Sequence, residues 1–150
     1  FKRLGPDTLA PFRANWGYDN RSCMVRIPPE RGQGTRLEVR VGDGAANPYL
    51  LIAAILAAGL DGIQQKLACP DPAEGMAYDN EAAEILPTSF SAALDALEAD
   101  TDLSRVMAQE LINVFMVMKR DEIARYEAEV ADPNTREVTQ WEWDEYMEDF

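Results

Sequence analysis

Hydrophobic and polar residues alternate in two short stretches near the start of the chain, as they do in β-strands. Residues 22–27 read S-C-M-V-R-I and residues 35–41 read T-R-L-E-V-R-V. In the second stretch the apolar side chains share one face. They are Leu37, Val39 and Val41. The segment between the stretches, P-P-E-R-G-Q-G, is predicted to be a loop because of its proline and glycine residues.

From residue 47 onward the apolar positions favour helices. Asn47-Pro48 is typical of a helix start, with Asn at the cap and Pro in the first turn. The run from Tyr49 to Ile63 is apolar nearly all round, which predicts a helix buried in the core. Residues 69–87 contain three prolines and several acids, and are predicted to be a loop.

Three more helical segments are predicted after this loop. One runs from about Ser91 to Ala99, one begins at Leu103, and a short amphipathic one begins at Thr139. The second has an apolar stripe, which we interpret as core packing, and Asp132-Pro133-Asn134 ends it. The stripe consists of Leu103, Met107, Leu111, Val114 and Met118. The predicted fold is therefore α+β, with antiparallel strands in residues 1–45, then a buried helix and a helical C-terminal tail.

Composition narrows the class of protein. The 150 residues are 47% hydrophobic and 27% charged, which is typical of one globular domain. The formal charge of -13 gives no net attraction to nucleic acid or to an anionic membrane, so neither is a predicted partner. The chain has no His, so a metal site here would use carboxylates or thiols.

The two cysteines indicate a cytoplasmic protein. Cys23 and Cys69 fit no metal-ligand spacing and are too few for a disulfide scaffold, so we expect reduced thiols, although a single disulfide remains open. No signal segment opens the chain, and the longest apolar run, residues 49–58, is far shorter than the ~20 residues of a membrane span.

Charge is distributed unevenly along the chain. Residues 1–67 have nine Lys and Arg against six Asp and Glu, a balance of +3, and residues 68–150 have a balance of -16. Seven arginines and one lysine lie in the first forty residues. Because Arg binds carboxylates and phosphates through two parallel hydrogen bonds, these residues indicate either an anion site or a solvated basic face.

Arg36, Glu38 and Arg40 share one face of the second predicted strand. A carboxylate between two guanidinium groups is typical of a cross-strand ion-pair network. It also suits a Mg²⁺ ligand beside groups that bind anionic substrates. The residues alone leave both interpretations open and favour the ion-pair network slightly.

Several longer motifs occur in a fixed order. They read K-R-L at Lys2–Leu4, D-N-R-S and V-R-I-P within residues 19–28, T-R-L-E-V-R at residues 35–40, and A-A-N-P-Y-L with A-A-I-L-A-A-G-L-D-G-I within residues 45–63. Further matches are A-L-D-A-L-E-A-D, K-R-D-E and V-T-Q-W-E in residues 86–142. In these motifs the chain resembles the C-terminal part of the catalytic domain of the glutamine synthetase superfamily.

This resemblance implies an ATP-dependent ligase. In that family ATP phosphorylates the side-chain carboxylate of glutamate, and an amine then attacks the γ-glutamyl phosphate. By resemblance, Arg3 and Arg40 bind the glutamate carboxylates, and Arg21 and Arg26 lie near the ATP phosphates and the transferred phosphoryl group, with Arg21 in a catalytic role. Arg36 falls on a nucleotide-side position, and Glu38 on a ligand of Mg²⁺ or Mn²⁺. Homo-oligomers of stacked rings are implied as well.

Two positions depart from the pattern of the ammonia-using members. Those members have a flap Glu before the A-P pair, where this chain has Leu9, which attracts no cation. The motif W-G-Y-D-N-R-S, which begins at Trp16, is similar to the sequence of relatives that join glutamate to larger amines such as polyamines or ethanolamine. Trp16 is then either a wall of the amine pocket or a core residue. Asp7 or Asp19 are candidates to replace the missing charge.

The resemblance therefore predicts a segment of a glutamate–amine ligase that uses an amine other than ammonia. Glutamine synthetase proper and a non-catalytic relative are the alternatives. Residues 1–67 are expected to contain the active-site strands and core helix, 68–87 an acidic loop, and 88–150 a helical tail. Because the family's enzymes are much longer, the chain alone is expected to be inactive. Tyr78 lies near a position that some members adenylylate, but its surroundings differ, so an ordinary exposed tyrosine is expected.

Overall fold

The computed structural model describes residues 1–6 and 8–147, and within them a small sheet precedes a series of helices. The strands are β1 (Trp16–Tyr18), β2 (Val25–Ile27) and β3 (Glu38–Val39). The α-helices are α1 (Pro48–Gln64), α2 (Phe90–Ala99), α3 (Thr101–Val106), α4 (Gln109–Glu129) and α5 (Gln140–Met147). The predicted α+β class is confirmed.

The strands form one mixed sheet in the order β1-β2-β3. β2 and β3 are antiparallel, as predicted, with Arg26 opposite Glu38. β1 and β2 are parallel, so the prediction of antiparallel strands was wrong for this pair. The reason is local: residues 19–24 double back instead of forming a hairpin. Asp19 adopts a left-handed φ of 46°, and the backbone N–H of Cys23 closes a turn on the carbonyl of Asn20 at 3.4 Å.

The described chain divides into two compact units. One contains residues 1–44 together with 68–88, and the other contains residues 45–67 and those from 89 onward. The buried side chains of the first unit are small except for one tyrosine, and include two prolines and a cysteine. They are Ala10, Pro11, Asn15, Ser22, Cys23, Pro28, Ala77 and Tyr78.

Polar side chains join residues 68–88 to the sheet. Arg13 donates to two carbonyl groups of this loop at 2.7 and 2.8 Å. Buried Asn15 donates to the carbonyl of Ala77 at 2.9 Å. The backbone N–H of Ala77 donates to the hydroxyl of Ser22, also at 2.9 Å. These bonds satisfy backbone groups that the loop cannot pair within itself, so it is an ordered part of the unit.

Helix α1 begins where predicted but is not buried. The side chain of Asn47 accepts from two N–H groups of the first turn, and Pro48 occupies the first position. The prediction of a buried helix was wrong, because α3 packs against it while other faces remain exposed. Its exposed apolar residues are Tyr49, Ile52, Leu56, Leu60 and Ile63. No helix among the described residues is long and apolar enough to cross a bilayer.

The helix predicted from Leu103 is divided in two, since Met107 and Ala108 have extended backbones between α3 and α4. No local sequence feature explains this break. The apolar stripe is consequently not a continuous core face. Leu111, Val114 and Met118 are exposed, which corrects the interpretation of these residues as core packing.

A buried carboxylate joins α4 to α5. Glu122, only 7% exposed, accepts hydrogen bonds from the ammonium of Lys119 and the hydroxyl of Tyr146. Burial, followed by the bond to Glu122, raises the pKa of Tyr146. Beside this group Arg125 donates two hydrogen bonds to Glu145, at 2.8 and 2.6 Å. Helix α5 therefore docks through polar bonds together with an edge-on contact between the rings of Tyr126 and Trp141, whose centroids are 5.3 Å apart.

Tyr146→Phe is expected to loosen α5, because it removes the hydroxyl that binds Glu122 and leaves the ring in place. The expected cost is about 1 kcal/mol, seen as faster amide hydrogen exchange in residues 140–147. Tyr18→Phe is the matched control, since its ring is 60% exposed. Equal exchange in the two variants would contradict the role assigned to the Glu122 bond.

Candidate active site

The sheet brings an arginine and a carboxylate together at the centre of the candidate site. Arg26 in β2 donates from Nη1 to Oε2 of Glu38 in β3 at 2.7 Å. Arg36 donates from Nε and Nη2 to the other oxygen of Glu38, at 3.2 and 3.1 Å. A cross-strand ion-pair network is thus present, but the second arginine on Glu38 is Arg26 and not the expected Arg40, which donates to the carbonyl of Leu9.

A second carboxylate binds the other side of Arg26. Asp19, at the end of β1, accepts from Nε of Arg26 at 3.1 Å and also from Nη2. The guanidinium therefore lies between two carboxylates. The hydrogen bonds to Asp19 and then to Glu38 raise the pKa of Arg26. The hydrogen bond from Arg26 is in turn the largest cause of the lowered pKa of Glu38. Asp7, the other candidate for a compensating charge, lies outside the described residues.

Arg40 has a buried nitrogen that binds nothing among the described residues. This atom is Nη1, whereas Nη2 donates to the carbonyl of Leu9 at 3.3 Å. Burial lowers the pKa of Arg40, and repulsion from Arg3, Arg26 and Arg21 lowers it further. A buried cationic donor without an acceptor is costly unless a ligand supplies one.

Arg3 and Arg21 complete the group of positive charges. Arg3 donates from Nη2 to the carbonyls of Arg40 and Gly42, at 3.0 and 3.4 Å. Arg21 is exposed and makes no hydrogen bond or ion pair within the described part of the chain. The structure thus places all six residues expected from the sequence in one unit.

A pocket of about 560 Å³ opens beside this group. Its lining combines charged, polar and apolar residues. They are Leu9, Tyr18, Asp19, Asn20, Arg21, Arg26 and Gly75. Leu9 and Asp19 have left-handed backbones, with φ of 54° and 46°. Such conformations cost about 1–3 kcal/mol each in non-glycine residues and are enriched at functional sites.

Tyr18, not Trp16, forms the aromatic wall of this pocket. Tyr18 was not predicted from the sequence, although alternation in W-G-Y puts both rings on the same face of β1. Trp16 is half-buried, donates from its indole N–H to the carbonyl of Pro70 at 2.8 Å, and contacts the Tyr18 ring edge-on with centroids 5.3 Å apart. Trp16 therefore packs against the Tyr18 ring and does not itself line the pocket.

Glu38 has the right chemistry for a metal ligand but does not form a metal site by itself. Carboxylate oxygens are the ligands that Mg²⁺ prefers. Both oxygens of Glu38 are engaged by arginines, and the described residues contain no group of three or more acidic, Cys or His side chains able to bind a metal. Further ligands would have to come from elsewhere.

Two sequence-based expectations about reactive side chains have different outcomes. Cys23 and Cys69 are both free thiols, as expected, with Cys23 buried and Cys69 exposed. Tyr78 is buried at 9% exposed, so the expectation of an exposed tyrosine was wrong. It lies in the turn Ala77–Asp79, which Asn15 and Ser22 bind to the sheet.

Comparison with known proteins identifies the family. Residues 1–146 match the family described as glutamine synthetase, catalytic domain, and the chain belongs to this family. It is 38% identical over 154 residues to a glutamine synthetase of Methanocaldococcus jannaschii, covering 98% of this chain and 32% of that protein. It is also 38% identical over 157 residues to a glutamine synthetase of Staphylococcus aureus strain MW2, covering 100% of this chain and 33% of that one.

A solved structure gives the same result for the fold. The chain superposes on a GmaS/ADP complex with a TM-score of 0.68 and 37% identity, covering 97% of this chain and 31% of that one. The chain thus spans about a third of the length of the relatives that it matches.

The two arginines on Glu38 are expected to affect its pKa unequally. Arg26→Met is expected to raise the pKa of Glu38 toward the ~4.3 of a free glutamate, and Arg36→Met to raise it less, because the Arg26 hydrogen bond is the largest cause of the shift. Since the folded pKa is depressed, the pairing stabilises the fold above the unfolded pKa and is lost as pH falls through the folded one. Carbon-detected NMR titration of the Glu side chains measures both values. A larger rise in Arg36→Met would contradict this order.

Proposed function

We propose that this chain supplies part of the active site of an ATP-dependent ligase that joins the γ-carboxylate of glutamate to an amine other than ammonia. One observation carries the proposal: Nη1 of Arg40 is buried without an acceptor among the described residues, and three further guanidinium groups lie close enough to repel Arg40. Such an arrangement suits an anionic substrate, whose carboxylate would accept from that nitrogen. Membership of the glutamine synthetase family supports the choice of glutamate and ATP.

The reaction has two steps. A carboxylate oxygen of glutamate forms a bond to the γ-phosphorus of ATP while the bond from that phosphorus to the β–γ bridging oxygen breaks, and ADP leaves. The amine nitrogen then forms a bond to the carbonyl carbon of the γ-glutamyl phosphate, the bond from that carbon to the phosphate oxygen breaks, and phosphate leaves with the electron pair. The nitrogen gives up one proton to water or to the phosphate. Both steps bring anions together, so fixed positive charges lower the barrier.

The arginines divide the work of binding these anions. Arg3 and Arg40 bind the carboxylates of glutamate, with Nη1 of Arg40 already buried at that point. Arg21, exposed and without a partner in the described chain, is available to the transferred phosphoryl group and acts as the catalytic arginine. Arg26 and Arg36 lie on the nucleotide side. The likeness to a GmaS/ADP complex supports nucleotide binding.

A divalent ion, Mg²⁺ or Mn²⁺, is part of the proposal. Glu38 would supply one oxygen ligand, and the ion would neutralise charge on the phosphates. Other residues of the full-length polypeptide would complete the ligand set. The chain alone is therefore proposed to be inactive, and the enzyme to be a cytoplasmic homo-oligomer, for which stacked rings are the family's arrangement.

Leu9 supports an amine with a carbon chain. Its side chain is 61% exposed at the pocket, and it provides no charge to attract ammonium. Glutamine synthetase proper, with ammonia as substrate, is the second candidate, because the similar proteins from M. jannaschii and S. aureus are glutamine synthetases.

Arg40→Lys is expected to lower kcat/KM for glutamate roughly 10- to 100-fold, since Lys cannot reproduce the fork of hydrogen bonds. ATP-dependent phosphate release by the full-length polypeptide, with glutamate and Mg²⁺ supplied, measures the change. Arg31→Lys is the control, because within the described chain Arg31 binds only loop carbonyls, at 2.6 and 2.9 Å. Equal losses in both variants would argue against glutamate at Arg40.

Leu9→Glu is expected to raise phosphate release with ammonia about tenfold relative to the unchanged protein, because the new carboxylate attracts ammonium. Leu9→Gln controls for size and polarity without charge. The unchanged protein is expected to release phosphate with a larger amine and little with ammonia. Release with ammonia alone would favour glutamine synthetase proper.

A further inference from the structure

The pocket beside Arg26 has an apolar side and a positively charged side. We propose that the amine it selects is a primary monoamine with an uncharged carbon chain, and that Leu9 and Tyr18 bind that chain. This inference rests on the proposed function and deepens it by naming the class of amine.

The apolar side is formed by two large side chains that are left exposed. Leu9 is 61% exposed and Tyr18 is 60% exposed, and both line the same pocket. The edge-on contact with Trp16 supports the Tyr18 ring. The loop beneath is also fixed, since Asn20 donates to the carbonyl of Gly75 at 2.8 Å. An alkyl chain entering here would cover apolar surface on a wall that is already in place.

The charged side argues against a second ammonium group. Arg21 and Arg26 both line the pocket. Asp19 is the one carboxylate in its lining among the described residues, and its Oδ1 already accepts two hydrogen bonds from Arg26. A diamine would therefore bring its distal cation to a wall whose net charge is positive, which is unfavourable.

The same charges suit the reacting end of the amine. Only the uncharged amine has a lone pair to attack the carbonyl carbon of the γ-glutamyl phosphate, and neighbouring cations favour the uncharged form. The new carbon–nitrogen bond forms as phosphate leaves with its electron pair, and one nitrogen proton passes to water. A flap carboxylate would favour the protonated form, whereas Leu9 does not. The charge of the pocket and the identity of residue 9 thus favour the same kind of substrate.

The test uses the full-length polypeptide and two matched amines, n-butylamine and 1,4-diaminobutane, which differ at one end by an ammonium group. We expect kcat/KM to be at least tenfold higher for n-butylamine. Along the series from methylamine to n-butylamine it is expected to rise by up to about fourfold per CH₂, the fold-change that corresponds to ~0.8 kcal/mol. Tyr18→Ala is expected to flatten this rise, and Tyr18→Phe to retain it. Because ratios between amines are compared within each variant, a general loss of activity cancels.

Trapping with hydroxylamine separates this inference from the proposed function. Hydroxylamine converts an acyl phosphate to a hydroxamate, so absence of glutamate hydroxamate with ATP would overturn the proposed function itself. Hydroxamate formation together with a preference for 1,4-diaminobutane, lost in Asp19→Asn, would overturn only the monoamine inference and assign the distal ammonium to Asp19. An unchanged chain-length series in Tyr18→Ala would remove Tyr18 from the amine site.

Discussion

Repulsion among positive charges constrains this sheet. Its strands are two or three residues long, and burial, followed by repulsion from neighbouring arginines, lowers the pKa of Arg40. Two carboxylates oppose this repulsion, since Asp19 and Glu38 bind Arg26 from either side. Because one of them lies at the end of β1 and the other in β3, the pairing also joins the edges of the sheet through its central strand. The charges of the candidate site and the stability of its scaffold are therefore not independent.

So small a sheet has few backbone hydrogen bonds, and hydrogen bonds from side chains stabilise it further. Asn15, Asn20 and Ser22 bind backbone groups of residues 68–88. Gly17 permits close approach, because a Cβ there would lie 2.9 Å from a carbonyl of the same loop. Residues of the motif that resembles the family's catalytic pattern thus also have a structural role. They order the loop that lines the pocket at Gly75.

The parts of the fold that could be predicted are those with local or periodic signals. The helix start at Asn47-Pro48 and the shared face of Arg36 and Glu38 follow from neighbouring residues alone. The parallel pairing of β1 and the burial of Tyr78 depend on hydrogen bonds between residues far apart in sequence, which leave no periodic trace. In helix α1 a clear local signal led to a wrong prediction. Its apolar sequence predicts burial, but the described chain covers only part of its surface.

The left-handed backbones at Leu9 and Asp19 have a consequence for protein engineering. Glycine at either position would relieve the steric cost, so a screen for thermostability would tend to favour it. Each replacement would also remove a side chain from the pocket, one apolar and one that binds Arg26. At these two positions, substitutions that raise the stability of the protein would therefore be expected to lower its substrate specificity.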